Sequence, residues 1–453
     1  MSVRDAISPV DGRYRKEVEE LASYFSEKAL FKERIEIEIE YLKAIIKRNA
    51  FKDYLKLNRV PAKLNKVLEG ERWYEEIKEI ERRVGHDVKA VEIWLKGRLE
   101  SLGLGELAPF VHLGLTSEDI NGIAQGRILL RAVREAMIRA YVALLKKLSE
   151  LAKRYSDRAF LARTHGIPAV PTTFGKELGV FAFRLANELE ELAKRRPYGK
   201  LSGAVGCFNA LRFLNPKFDW LKFSEEFVKS MGLIPTLLSK QIVPHEKTSE
   251  IFHYIITINN IMQELARDLW YYQALGLIRF KKVRVGSSTM PHKVNPVDLE
   301  NAEGQIDASN YLLFLLAYRL QQTRMQRDLS DSTLKRLYGQ ALAHSLIACK
   351  RICRALDLMI VDEKAMEDEL SKHQECLSEA VQVSLRALGD IKGYERVFEK
   401  VNELEEIKRK VRGEIGKRLR ELRLNEYVGF AKELALLASR RAEEVVKRLS
   451  SIR

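Results

Sequence analysis

Proline placement constrains this chain more than any other feature of its sequence. None occurs between Pro109 and Pro168, and none after Pro296. A proline inside a helix removes a hydrogen bond and clashes with the preceding turn, so long proline-free stretches read as helical. Apolar residues in these stretches step by three and four. Leu130, Val133, Met137, Tyr141, Leu144, Leu148 and Leu151 form one such stripe, the pattern of an amphipathic helix. The spans 174–194, 249–280, 305–322 and 337–361 read the same way. The segment IEIEIEY, 35–41, alternates like a strand. Phe31, Ile35, Ile39, Leu42 and Ile46 step helically once the window is widened, so a helix is expected there. No βαβ alternation and no internal repeat is present. The expectation is an all-α chain with very long central helices. Its 453 residues suit about three helical domains. We place them at 1–110, at 111–362 for the long-helix bundle, and at 363–453, where the sequence turns charge-rich.

Composition excludes several classes. Apolar residues make up 46%, enough for a large core. The most apolar span, 251–280, is interrupted by Asn259, Asn260, Glu264, Arg267 and Asp268, so it reads as a bundle helix and not a membrane span. No charged-then-apolar N-terminal run resembles a signal peptide. Four cysteines give no disulfide framework. Cys349 and Cys353 share a helix face and read as core, and no HExxH or CxxC occurs. A cytoplasmic location is the default. Net charge is +15, but the charges are interspersed, as in EKALFKERIEIEIEYLK. That argues against a nucleic-acid partner and leaves a small polyanionic substrate as the class a basic surface suits.

One stretch is built as a loop yet is dense in reactive groups: VGSSTMPHKVNP, 285–296. Gly286 permits unusual backbone angles, and Pro291 and Pro296 interrupt helix. Between them lie Ser287, Ser288, Thr289, His292, Lys293 and Asn295. A polar loop between long helices is where a site is expected. Other segments offer matching chemistry. SPVDGRY supplies a guanidinium fork and a phenol in Arg13 and Tyr14. GHDVKAVE supplies His86 and Asp87. FVHLGLTSEDING carries His112, then Thr116 and Ser117 at a helix start, a natural anion site. ARTHGIPAVPTTFGKE holds Thr164 and His165 in a bend before a helix. GKLSGAVGCFNA is a Gly-rich loop, and KQIVPHEK contributes Gln241. QRDLSDSTLKR brings Arg327, Ser332 and Arg336 together, the last two four residues apart.

The string G-S-S-x-M-P-x-K-x-N-P resembles the signature of the fumarase/aspartase superfamily of lyases. R-T-H-G-x-x-A-x-P-T-T-F-G is similar to the adenylosuccinate lyase branch and differs from fumarases and aspartases. The SPVDGRY opening is also similar to the longer bacterial members of that branch. The resemblance covers nearly the whole chain by motif from Ser8 to about Arg336, and by pattern beyond. It implies β-elimination of fumarate from adenylosuccinate and from the succinyl-carboxamide ribotide SAICAR, without metal or redox cofactor. It implies Ser287 as base, His165 as general acid, and Lys293 with Asn295 facing the developing charge. Glu300 would hold the imidazole, and His86 joins the catalytic group. Substrate contacts map to Arg13, Tyr14, Asp87, His112, Thr116, Ser117, Thr164, Gln241, Ser288, Asn295, Arg327, Ser332 and Arg336. Where relatives can carry Asn before the His-Asp pair, this chain has Gly85. The resemblance also implies a homotetramer with a twenty-helix core and sites shared between subunits. The rival readings are another superfamily lyase, acting on argininosuccinate, aspartate or malate, and a non-catalytic helical protein.

Overall fold

The computed structural model describes residues 5–57, 59–282, 289–290 and 292–450. Helices of eight or more residues are numbered in chain order. The N-terminal part holds α1 (Glu27–Lys47), α2 (Trp73–Val84) and α3 (Asp87–Ser101). Then come α4 (Ser117–Ala132), α5 (Ile138–Arg154), α6 (Phe174–Lys194), α7 (Trp220–Ser230), α8 (Glu246–Ala274), α9 (Val297–Arg319) and α10 (Tyr338–Leu358). The last part holds α11 (Glu363–Ser371), α12 (Ser378–Ala387), α13 (Gly413–Glu421) and α14 (Ala431–Ser450). A single π turn, Val133–Met137, joins α4 to α5 in one long rod. The segment that alternates like a strand lies inside α1, and Ile35, Ile37 and Ile39 are all buried there.

The bundle core is made by α5, α6, α8, α9 and α10, and α14 returns to pack on α5 and α6. A second apolar cluster joins α1, α3 and the first half of α4 to α7. A third, smaller one gathers residues of 370–424 around Leu161. A buried polar chain crosses the bundle. Tyr141 Oη meets Ser345 Oγ at 2.7 Å, which donates to Asn259 Oδ1 at 2.5 Å. Asn259 Nδ2 donates to Ser309 Oγ at 3.1 Å, and Ser309 Oγ donates to the Ala341 carbonyl at 2.8 Å. Sliding any of α5, α8, α9 or α10 by a turn would orphan these groups in an apolar core, so the chain sets their register.

The chain is mostly helical, as expected, and the described residues add three two-stranded sheets. β1 (Ala159–Thr164) and β2 (Ile167–Thr173) form an antiparallel hairpin where a bend was expected. Pro168 and Pro171 are tolerated because a two-stranded sheet leaves each strand an open edge. The short β3 (Tyr198–Gly199) and β4 (Ile234–Pro235) pair in parallel. β5 (Ile278–Phe280) and β6 (Met359–Val361) pair antiparallel and tie the end of α8 to the end of α10. In the sequence both strands read as helix ends, because short apolar runs carry no period of their own. No helix among the described residues is long and apolar enough to cross a membrane.

The start of α6 packs closely against the end of α5. A Cβ on Gly175 would sit 2.4 Å from the Ala152 carbonyl oxygen and 2.5 Å from Ser156 N. Gly175→Ala is expected to cost about 1–3 kcal/mol by overpacking. Gly97, on α3 with nothing within 4 Å of its added Cβ, is the control. Gly97→Ala should stabilise by about 0.5–1 kcal/mol through helix propensity. Thermal unfolding of both variants checks the contrast in sign.

Candidate active site

The first turn of α4 carries Thr116, Ser117, Glu118 and Asp119. Thr116 is its extended N-cap residue, and its N–H donates to Asp119 Oδ2 at 2.9 Å. Asp119 is fully buried and takes three more donors: Lys200 Nζ at 2.6 Å, Ser202 N at 2.9 Å and Gly203 N at 3.0 Å. One carboxylate thus closes the helix start and ties down the Gly-rich loop. Lys200 is also fully buried, so the pair is a satisfied internal ion pair.

Glu118 is the second buried acid. Its Oε1 accepts from Arg327 Nη2 and from Asn121 Nδ2, each at 3.0 Å, and Lys335 Nζ lies 3.4 Å from Oε2. Burial works to raise its pKa, but the charges of Lys335 and Arg327 outweigh burial and hold it below the ordinary carboxylate range. The network extends both ways. Arg34 Nε donates to Asn121 Oδ1 at 2.8 Å, and Arg34 Nη2 pairs with Asp87 Oδ2 at 2.7 Å. Burial also works against the Asp87 charge, and Arg34 with the Val88 N–H overcomes it, so its pKa is lowered. On the other side Arg327 Nη1 donates to Gln241 Oε1 at 3.2 Å, and Gln241 Nε2 donates to the Ala204 carbonyl at 2.9 Å. Asp87, the α4 start, Gln241 and Arg327 therefore form one hydrogen-bonded constellation. Ser332 and Arg336 lie on and just after the six-residue helix Ser330–Lys335 that carries Lys335.

Three histidines surround the expected chemistry in different ways. His86 is the N-cap of α3, and its Nδ1 accepts from Lys89 N at 3.2 Å. Gly85 before it ends α2 in the left-handed region, at φ +69°, which explains a glycine there. His112 also has a positive φ, +61°, and is clamped by the buried Glu38. Its Nδ1 lies 2.6 Å from Oε1 and its N–H donates to Oε2 at 3.1 Å. Burial pushes the imidazole pKa down, but the Glu38 hydrogen bond and charge more than reverse this, so it is raised. His165 and Gly166 are the two-residue tip of the β1–β2 hairpin, with φ +54° and +77°. Two positive φ values fit the primed hairpin turn, and a histidine kept there at a conformational cost is a functional candidate. His165 and Thr164 are exposed.

The remaining described residues gather at the opposite end of the bundle. Ser287 and Ser288 lie outside the described residues. Lys293 and Asn295 lead into α9, whose first turns carry Glu300 and Asn301. Glu300 Oε1 accepts from Trp270 Nε1 at 3.2 Å, and Asn301 Nδ2 donates to Tyr14 Oη at 3.1 Å. Arg13 is exposed beside Tyr14. Gln241 precedes α8 and Arg327 follows α9, while the signature loop follows α8 and precedes α9. The 23 residues of α9 at about 1.5 Å each separate the two groups by about 35 Å in one chain. Among the described residues no group of three or more His, Cys, Asp or Glu is arranged to hold a metal.

The sequence reading missed Arg34, Glu38, Glu118, Asn121, Lys200 and Lys335, while Asp119, which it reads as a first-turn acid, does cap the helix start. The available signal was a charge on an apolar helix face. Arg34 and Glu38 interrupt the stripe of α1 and are buried with it.

Comparison with known proteins decides the family. Residues 12–307 match the family described as Lyase, and 323–437 match the adenylosuccinate lyase C-terminal family. The adenylosuccinate lyase of Legionella pneumophila strain Corby is 38% identical over 405 residues, 88% of this chain and 89% of the relative. The chain belongs to the adenylosuccinate lyase family. Members named adenylosuccinate lyase from Escherichia coli K12, 38% identical over 88% of this chain and 89% of the relative, and from Dictyostelium discoideum, 39% identical over 87% of each, agree. Two solved structures share the fold of this adenylosuccinate lyase family chain. They are a fumarate lyase from Mesorhizobium sp. BNC1, with TM-score 0.74, 18% identity and coverage of 93% and 97% of the two chains, and a 3-carboxy-cis,cis-muconate lactonizing enzyme from Pseudomonas putida, with TM-score 0.72, 20% identity and coverage of 94% and 97%.

The His112–Glu38 pair sets a pH dependence. A histidine whose folded pKa lies above its unfolded value, 6.5, contributes stability that is full below that value and is lost as pH rises through the folded one. The stability deficit of His112→Gln should be largest near about pH 6 and shrink toward about pH 9, measured by chemical denaturation at each pH.

Proposed function

We propose that this chain cleaves adenylosuccinate to AMP and fumarate, and SAICAR to AICAR and fumarate. The observation that carries this is identity of 37–39% to relatives named adenylosuccinate lyase, over 85% or more of the chain. Ser287, His165 and Lys293 stand in the strings that carry the resemblance.

In the mechanism we assign, Ser287 removes the proton from the carbon next to a succinyl carboxylate. The electron pair spreads into that carboxylate as an aci-carboxylate, faced by Lys293 and Asn295 with Ser288 beside them. It then forms the C=C bond of fumarate as the C–N bond breaks, and the departing nitrogen takes a proton from His165. Glu300 orients the imidazole, and His86 with Asp87 stands at the substrate. The α4 start, Thr116 and Ser117, receives the other succinyl carboxylate, with His112, Thr164 and Gln241 alongside. Arg13, Tyr14, Arg327, Ser332 and Arg336 hold the nucleotide phosphate end.

The 35 Å (about the length of α9) between the two groups supports sites assembled from different subunits. So does the exposed stripe on α9: Tyr311 at 78%, Phe314 at 51%, Leu315 at 42% and Tyr318 at 68%. Such a contiguous apolar face on a single chain marks a protein contact. We assign it to a cytoplasmic homotetramer with a twenty-helix core, and divide each chain into helical units near 1–110, 111–362 and 363–453.

The test is an absorbance assay with adenylosuccinate, and with argininosuccinate, aspartate and malate in parallel. Cleavage of adenylosuccinate alone is expected; cleavage of another substrate overturns the nucleotide assignment. Ser287→Ala and His165→Ala should each lower kcat by about 10²–10⁴-fold with the assembly intact. Arg336→Ala should raise KM with kcat nearly unchanged, the mark of uniform binding lost.

A further inference from the structure

Arg327 sits in front of a buried charge cluster that the mechanism above does not use. Behind it are Glu118, Asp331 and Lys335, whose side chains are 2%, 4% and 1% exposed, against 17% for Arg327. Lys335 Nζ lies 2.6 Å from Asp331 Oδ2 and 3.4 Å from Glu118 Oε2. Two cations face two carboxylates. Only Arg327 of the four offers appreciable surface, so an arriving phosphate meets it first. A guanidinium that turns to a phosphate weakens its hold on Glu118. A buried carboxylate left without a cation is strongly disfavoured, and that penalty would be subtracted from phosphate binding.

We infer that Lys335 is a positioning residue for the substrate phosphate: it stays on Glu118 and keeps that carboxylate in place when Arg327 engages the phosphate. The inference rests on the reading of Arg327 as a phosphate ligand. Glu118 also takes the Asn121 amide, and Asn121 holds Arg34 against Asp87. The Arg34–Asp87 arm is held by its own 2.7 Å contact, so the Arg327 arm is the one that depends on Lys335. The other neighbours of Lys335 cannot substitute for it. His245, buried beside it, is kept neutral by burial and by the Lys335 charge. Lys200 is already held by Asp119.

The test compares adenylosuccinate with its 5′-dephospho counterpart, and measures AMP and adenosine binding by calorimetry. Lys335→Met should raise KM for adenylosuccinate and weaken AMP binding by about tenfold or more. Its kcat, and its kcat/KM for the dephospho substrate, should stay within about threefold of wild type. Equal losses on both substrates, or no loss of AMP affinity, would overturn the inference. Should the single variant misfold, Asp331→Asn/Lys335→Met removes one charge of each sign and leaves the Glu118–Arg327 pair. It should show the same selective loss, and full phosphate preference in the folded double variant would overturn the inference too. A wild-type protein that binds AMP no better than adenosine would instead remove Arg327 from the phosphate site, and this inference with it.

Discussion

Two carboxylates in the first turn of α4 are buried as charges, and distant segments are held in place to compensate them. Asp119 draws in Lys200 and the N–H groups of Ser202 and Gly203. Glu118 draws in Arg327 and Lys335 from beyond α9, and Arg34 of α1 through Asn121. Internal ion pairs of this kind add little net stability over apolar packing, but breaking one side is costly. They are better understood as fixing geometry. A helix start that receives an anion needs a defined set of neighbours, and these acids supply it.

The bundle does the complementary work at longer range. The polar chain from Tyr141 through Ser345 and Asn259 to Ser309 sets the register of four helices in an otherwise apolar core. With register set, α8 and α9 run antiparallel, as the Arg267–Glu303 and Trp270–Glu300 contacts at one end and Ser249–Ala317 at the other show. That arrangement puts Gln241 and Arg327 at one end and the Lys293–Glu300 region with Tyr14 at the other. A rigid rod of that length keeps the two groups apart within a chain. The exposed aromatic stripe on α9 is where the missing contact is expected.

Much of the helical fold was legible because proline avoidance and apolar stepping act over many residues. The span 174–194 coincides with α6, and the alternating segment in α1 resolves as helix once its neighbours are counted. The short strands were not legible. Ile278–Phe280 and Met359–Val361 are three residues each, too few to show a period, and only their pairing makes them strands. Of the site, the motif residues were legible by resemblance, and His165 stands out on its own by a positive φ at a hairpin tip. Glu118 and Lys335 were hidden. Glu118 reads as an ordinary acid in a first turn, and Lys335 as part of a basic run, until the fold places them 3.4 Å apart with water excluded. Burial is a property of the assembled helices, and no local pattern carries it.

The central claim is that a working site needs residues from both ends of the bundle and therefore from different chains. The most direct measurement mixes Ser287→Ala, which lacks the base, with Arg327→Ala, which lacks a phosphate ligand, at a substrate concentration too low for the second to turn over, under conditions that allow subunits to exchange. Each variant spoils one end. Mixed assemblies should contain some sites with both ends intact, and activity should rise well above that of either parent, toward about a quarter of wild type for one undamaged site in four. No recovery, after exchange has been confirmed by mass labelling of the two variants, would mean that one chain supplies both ends and would contradict the account.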